Sequence, residues 1–121
     1  MPVPQNTPSN EVVIKLPTMA DVSAAASNVM APGCVKGRVV RAYSILGGAI
    51  TGADCTWFLE INGVAVTGTA TIANASSAEG DIDEIVFSAP VDVSQTDVIE
   101  AVSNGESSTT ATCDFYVVVR T

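Results

Sequence analysis

The sequence predicts an all-β fold: a single antiparallel β-sandwich, jelly-roll-like, of seven to eight strands with an extended N-terminal arm. Three observations carry this. Val, Ile and Thr dominate the chain while leucine occurs only at Leu16, Leu46 and Leu59, and β-branched side chains disfavour helix and suit a pleated sheet. Several runs alternate apolar and polar residues with period two. Turn signals rich in Gly, Asn and Pro separate these runs at roughly the 8–12 residue spacing of all-β sandwiches. At 121 residues the chain can bury about two-thirds of its unfolded surface, enough for one core and not for two.

Residues 1–10 contain no charged side chain and three of the six prolines, a composition that favours an extended arm over a packed element. The sandwich domain then occupies residues 11–121. Glu11-Val12-Val13-Ile14-Lys15-Leu16-Pro17 reads as a first strand stopped by a proline and placed at a sheet edge, because Pro17 cannot donate to a ladder. Residues 18–33 read as a loop with at most a short helical turn: Ala24-Ala25-Ala26 favours helix, but Ser23, Ser27 and Asn28 compete with it.

Val35 to Leu46 is one long strand ended by Gly47-Gly48. Asp54 to Ile61 follows, with Cys55, Trp57, Leu59 and Ile61 on one face and Thr56 and Glu60 on the other, which makes Trp57 the leading core residue. Asn62-Gly63 is a strong hairpin signal leading into Val64-Ala65-Val66, and Thr69 to Ala73 extends the ribbon. Asn74 to Gly80 is a polar loop, Asp81 to Pro90 a strand closed by proline, and Thr96 to Ser103 a strand ended by Asn104-Gly105. The last strand, Thr112 to Arg120, alternates Cys113, Phe115, Val117 and Val119 with Asp114, Tyr116, Val118 and Arg120, so its outer face is partly apolar and marks a second contact surface. Strand count and turn chemistry fit jelly-roll and immunoglobulin-like strand orders alike.

Thirteen acidic residues against five basic ones give a net charge of −8. Nucleic acid and anionic membrane are poor partners for such a field, since affinity for phosphate backbones comes from Lys and Arg contacts. The start of the chain has neither the basic segment nor the apolar centre of a secretory signal, and no apolar run approaches a membrane span. A soluble product of the cytosol is expected, in which the sequon Asn74-Ala75-Ser76 is a chance match. Three cysteines at spacings of no metal or redox motif, Cys34, Cys55 and Cys113, read as small buried hydrophobes. A Cys55–Cys113 bridge across the sheet is the alternative.

With no histidine the usual general base, triad member and metal ligand are all missing, and no enzyme, cofactor or metal is expected. The acidic run Glu79, Asp81, Asp83, Glu84 offers oxygen ligands for calcium, but it lacks the Asp-x-Asp-x-Asp-Gly pattern and alternates with apolar residues, as a solvated loop and strand start would. Gly47, Gly48 and Gly52 are turn glycines without a following phosphate-binding helix. Of the one Trp, two Tyr and three Phe, Trp57, Phe87 and Phe115 read as core and Tyr43 and Tyr116 as candidates for exposure. Lys36, Arg38 and Arg41 gather three of the five cations in one strand, which invites an acidic partner or a second copy of the chain, or protects an exposed strand edge.

Gly37-Arg38-Val39-Val40-Arg41-Ala42-Tyr43-Ser44-Ile45-Leu46, then Gly48-Ala49-Ile50-Thr51-Gly52-Ala53-Asp54, Glu60-Ile61-Asn62-Gly63, Thr96-Asp97-Val98-Ile99-Glu100-Ala101-Val102-Ser103-Asn104-Gly105 and Ala111 to Thr121 together resemble the capsid decoration, or cement, proteins of tailed bacteriophages. The resemblance covers residues 11–121, with one departure: Thr96 stands where many relatives have glycine. It implies a jelly-roll-like, non-catalytic virion protein, often trimeric, bound outside the capsid where shell subunits meet. Its implied partners are the major capsid protein of a tailed phage and itself as a homotrimer, and its implied location is the outer capsid surface after synthesis in the host cytoplasm. The contact residues expected on this reading are Pro2, Val3, Pro4, Gln5 and Pro8 of the arm with Lys36, Arg38 and Arg41 of the basic strand. The alternative is a receptor- or glycan-binding module of a phage head or tail fibre, working through Thr67 to Gly68, Asn74 to Gly80 and Asn104 to Thr110.

Overall fold

Two antiparallel sheets packed face to face account for residues 10–121, the part of the chain that the computed structural model describes. The strands are β1 (Glu11–Lys15), β2 (Asn28–Pro32), β3 (Gly37–Leu46), β4 (Cys55–Ile61), β5 (Val64–Ala65), β6 (Ala70–Ile72), β7 (Ile82–Val93), β8 (Val98–Gly105) and β9 (Cys113–Arg120). One sheet has the order β1-β9-β3-β7, the other β2-β8-β4-β5 with β6 also paired to β4. From β1 to β4 consecutive strands alternate between the sheets, and β7, β8 and β9 do so again, which is the double Greek-key path of a jelly roll. The fold class is as expected from the sequence.

The inner faces follow from period-two alternation. Along β4 the burial alternates without a break, placing Cys55, Trp57, Leu59 and Ile61 inside, and β9 places Cys113, Phe115, Val117 and Val119 inside, with Val118 of the outer face buried as well. Trp57 and Phe115 meet edge to face, centroids 4.9 Å apart, an arrangement that adds about 1 kcal/mol to their burial. The Trp57 indole N–H donates to Ser44 Oγ at 3.1 Å, so the largest core residue brings its one polar atom in satisfied. Asn62 and Gly63 both take positive φ, as a tight type I′ hairpin demands.

Three sequence expectations are corrected. Nine strands form because residues 28–32 pair with β8. Nothing local specifies that strand, and its ladder to β8 overrides the weak preferences of the segment. The strand expected to close at Pro90 continues to Val93; β7 is an edge strand, where a proline forfeits no ladder bond. Strand β3, assigned edge-protecting charges, lies between β9 and β7, so Arg38 and Arg41 protect no edge. The edge position of β1 is as expected. The turn at Thr96 forms, closed by Asp97, whose N–H donates to Ser94 O at 3.2 Å and whose carboxylate accepts the Ser94 N–H at 2.8 Å.

Candidate functional site

The outer face of the β1-β9-β3-β7 sheet is built in rows, because strand register sets side chains of the same face directly opposite one another. Glu11, Arg120, Arg38 and Asp92 form the first row. Val13, Val118, Arg41 and Val86 form the second. Lys15, Tyr116, Tyr43 and Glu84 form the third, and Asp114, Ile45 and Ile82 the fourth. A bulge at Val40, between Val39 and Arg41, keeps both arginines on this face.

The first row is wholly charged, and apolar and aromatic side chains predominate across the other three together. Val13, Ile82 and Val86 are 60%, 64% and 67% exposed, and Val13 and Ile82 with Tyr43, Ile45, Tyr116 and Val118 line a shallow groove of about 330 Å³ walled by apolar atoms. Glu11 accepts Arg41 at 2.7 Å and Arg120 at 2.9 Å. Arg38 pairs with Asp92 at 3.2 Å, and Lys15 with Asp114 at 3.3 Å. The Arg120 hydrogen bond is the main reason the Glu11 carboxyl is held below its usual range. The Thr18 hydroxyl, donating at 2.5 Å, does the same for Asp114, with Lys15 adding to it. Glu84 beside Tyr43 pushes that phenol up. The Arg41 Nε is enclosed without an acceptor among the described residues.

Charge is distributed unequally over the molecule. Four of the five cations, Lys15, Arg38, Arg41 and Arg120, stand on this face with four acids, so the face is neutral on a chain of net −8. The opposite outer face has no cation: Glu100 and Glu60 stand directly opposite each other on β8 and β4, with exposed Met30 beside Glu100.

A second surface is polar. The loops around Thr51, Asn74 to Gly80 and Glu106 to Thr110 are tied together at one end of the sandwich. Ser108 N–H donates to Thr51 O at 2.8 Å, Ile50 N–H to Ser77 Oγ at 2.9 Å, and Asn74 N–H to Asp54 Oδ1 at 2.8 Å. Two of the three loop tips expected for ligand binding are thus brought together. The third, Thr67 to Gly68, is placed apart from this bond network: Gly68 packs on Ile85 and Phe87.

Of the other sequence candidates, Lys36 lies just before β3 in an open groove of about 620 Å³ lined also by Arg38, Asp92, Ser94, Asp97 and Arg120. Arg38 and Arg41 are engaged by Asp92 and Glu11 rather than free. The residues Pro2, Val3, Pro4, Gln5 and Pro8 lie outside the described residues. The acidic run disperses: Asp81 closes a turn by accepting the Ala78 N–H at 2.9 Å, while Asp83 and Glu84 point to opposite sides of β7. Among the described residues no three acidic or cysteine side chains gather to hold a metal. All three cysteines are free thiols; Cys55 and Cys113 are buried as expected, and Cys34, at positive φ, is exposed instead.

No family model matches the chain, and no curated protein matches it in sequence. Its fold is that of several solved structures. A CBM36-1 domain of a multidomain xylanase from the hindgut metagenome of Trinervitermes trinervoides superposes with a TM-score of 0.55 at 14% identity, covering 93% of this chain and 98% of that one. A family 35 carbohydrate-binding module from Clostridium thermocellum gives 0.54 at 12% identity, over 93% and 100%. A CBM35 from Cellvibrio japonicus gives 0.52 at 18%, over 80% and 67%. At these identities the likeness is one of fold.

Proposed function

We propose that the chain is a non-catalytic binding module, which holds a partner by surface contact on a rigid sandwich. Two surfaces carry this reading: the polar end of the sandwich, where the loops around Thr51, Asn74 to Gly80 and Glu106 to Thr110 are tied into one frame, and the neutral, largely apolar face of the β1-β9-β3-β7 sheet with its ion pairs.

A glycan is the partner that the fold comparisons support, because two carbohydrate-binding modules overlay the chain over nearly their whole length. The polar loop end is then the contact, with Asp54, Asn74 and the serine and threonine hydroxyls as its hydrogen-bonding groups. A tailed-phage capsid shell is the second reading. Its support is the sequence resemblance, and it would use the arm with Lys36, Arg38 and Arg41 at capsomer junctions, as a homotrimer on the outer shell surface. The solved structures support the glycan more than the shell.

One preparation tests both: the whole chain on an array of plant and bacterial polysaccharides, and in co-sedimentation with tailed-phage shells stripped of their decoration. Array binding lost in Asp54→Ala and Asn74→Ala establishes the glycan reading. Pelleting with shells, reduced by deleting residues 1–10, establishes the other. Binding to neither, at protein concentrations of about 100 µM where even weak contacts register, overturns the proposal.

A further inference from the structure

We infer that the outer face of the β1-β9-β3-β7 sheet docks the same face of a second copy of the chain, making a two-fold dimer. The inference rests on reading this face as a contact surface and adds its occupant. Charge selects that occupant. A chain of net −8 repels its own copies unless they meet where the charge is absent, and this face, with four cations matched by four acids, is such a place. Two copies so docked point the Glu60–Glu100 faces away from each other, as far apart as the fold allows.

The face is also self-complementary in composition. It carries both signs in equal number, and among them the residue types enriched in interface cores: Tyr43 and Tyr116 side by side, valines and isoleucines around them, and Arg41, whose Nε has no acceptor among the described residues. One patch meeting itself closes after two copies. A trimer needs two different patches, and the opposite sheet, where exposed Met30 and Val98 stand beside Glu60 and Glu100 with no cation, would bring uncompensated negative charge into the contact.

Size sets the strength. Four strands at about 4.8 Å spacing and about seven residues of length give a face of roughly 20 by 23 Å, so two copies bury about 900 Å² together, in the range of weak, transient contacts. The dimer is therefore weak and reversible. Because apolar burial drives it against a net repulsion, added salt strengthens it.

Sedimentation velocity on the full chain from about 1 to 300 µM tests this. The expected result is a mass rising from 12.4 kDa towards twice that value, with a midpoint that moves to lower concentration as salt is raised from about 0.05 to 0.5 M. Val86→Lys and Val13→Lys should each weaken association at least about tenfold, even though both reduce the net charge, whereas Met30→Lys on the opposite sheet should leave it unchanged. Circular dichroism of each variant confirms folding. A chain that stays monomeric throughout, forms a trimer, or dimerises equally well with Val86→Lys overturns the inference. Polysaccharide and shell binding by the Val86→Lys monomer is scored separately, so loss of the dimer and loss of the proposed function are distinguishable.

Discussion

Trp57 and Ser44 join the two sheets of the sandwich through a hydrogen bond inside the core: the indole N–H of β4 donates to the hydroxyl of β3 at 3.1 Å, and both residues are fully buried. Replacing Ser44 with Ala leaves the indole N–H with no acceptor, and a buried orphan donor costs about 1–3 kcal/mol. Urea unfolding of Ser44→Ala should show that loss at unchanged m-value. In a double-mutant cycle with Trp57→Phe the two changes should be non-additive; strict additivity would show that the bond contributes nothing.

Gly105 and Gly63 separate two costs of positive φ. Both are left-handed, at φ +78 and +81, but a Cβ at Gly105 would stand 2.6 Å from Ala25 N and 2.8 Å from Ser23 O, whereas one at Gly63 meets open space. Gly63→Ala should cost about 1 kcal/mol, the conformational part alone. Gly105→Ala should cost about 2 kcal/mol or more, because backbone must also move. Equal losses in denaturant titration would contradict this.

Acid should loosen the border of the sheet face. The carboxyls of Glu11 and Asp114 are held below their ordinary values of 4.5 and 3.8, so their contribution is full above those values and is lost as pH falls through the lower folded ones. Asp83 runs the other way: burial first, and Asp81 second, raise it, so its ionisation destabilises the fold as pH rises through the raised value. Glu11→Gln should lower Tm at pH 7 with a gap that closes towards pH 2. Asp83→Asn should raise Tm at pH 7 with a benefit that vanishes in acid. Thermal melts across that range check both signs.

The thiols divide by burial. Cys34 is exposed, while burial raises the Cys55 thiol and pushes Cys113 up to about 12, and only the thiolate reacts. A thiol reagent should titrate Cys34 in the folded protein and all three cysteines in denaturant. Rapid labelling of Cys55 or Cys113 in the native state would contradict the described core.

Alternation within single strands was legible from the sequence, so the faces of β4 and β9, the Trp57 core, the Asn62-Gly63 hairpin and the partly apolar outer side of β9 follow from period two alone. Lateral neighbours were not. Val13, Val86 and Ile82 look like ordinary strand residues until the strand order sets β1, β9, β3 and β7 side by side, and only then does Glu11 meet Arg41 across β9. Strand β2 was invisible for the same reason, as its partner β8 lies some seventy residues away. The basic strip Lys36, Arg38, Arg41 read as free charge because its acidic partners, Glu11 and Asp92, come from other strands.

In the proposed dimer the neutral outer face is where two copies of the chain meet. Amide chemical shifts of the isotope-labelled chain, followed as its concentration rises from about 10 to 500 µM, test it most directly. Concentration-dependent shifts are expected in β1, β9, β3 and β7 alone, centred on Tyr43, Val86 and Tyr116. Shifts centred on β4 and β8, or none at all, would contradict it.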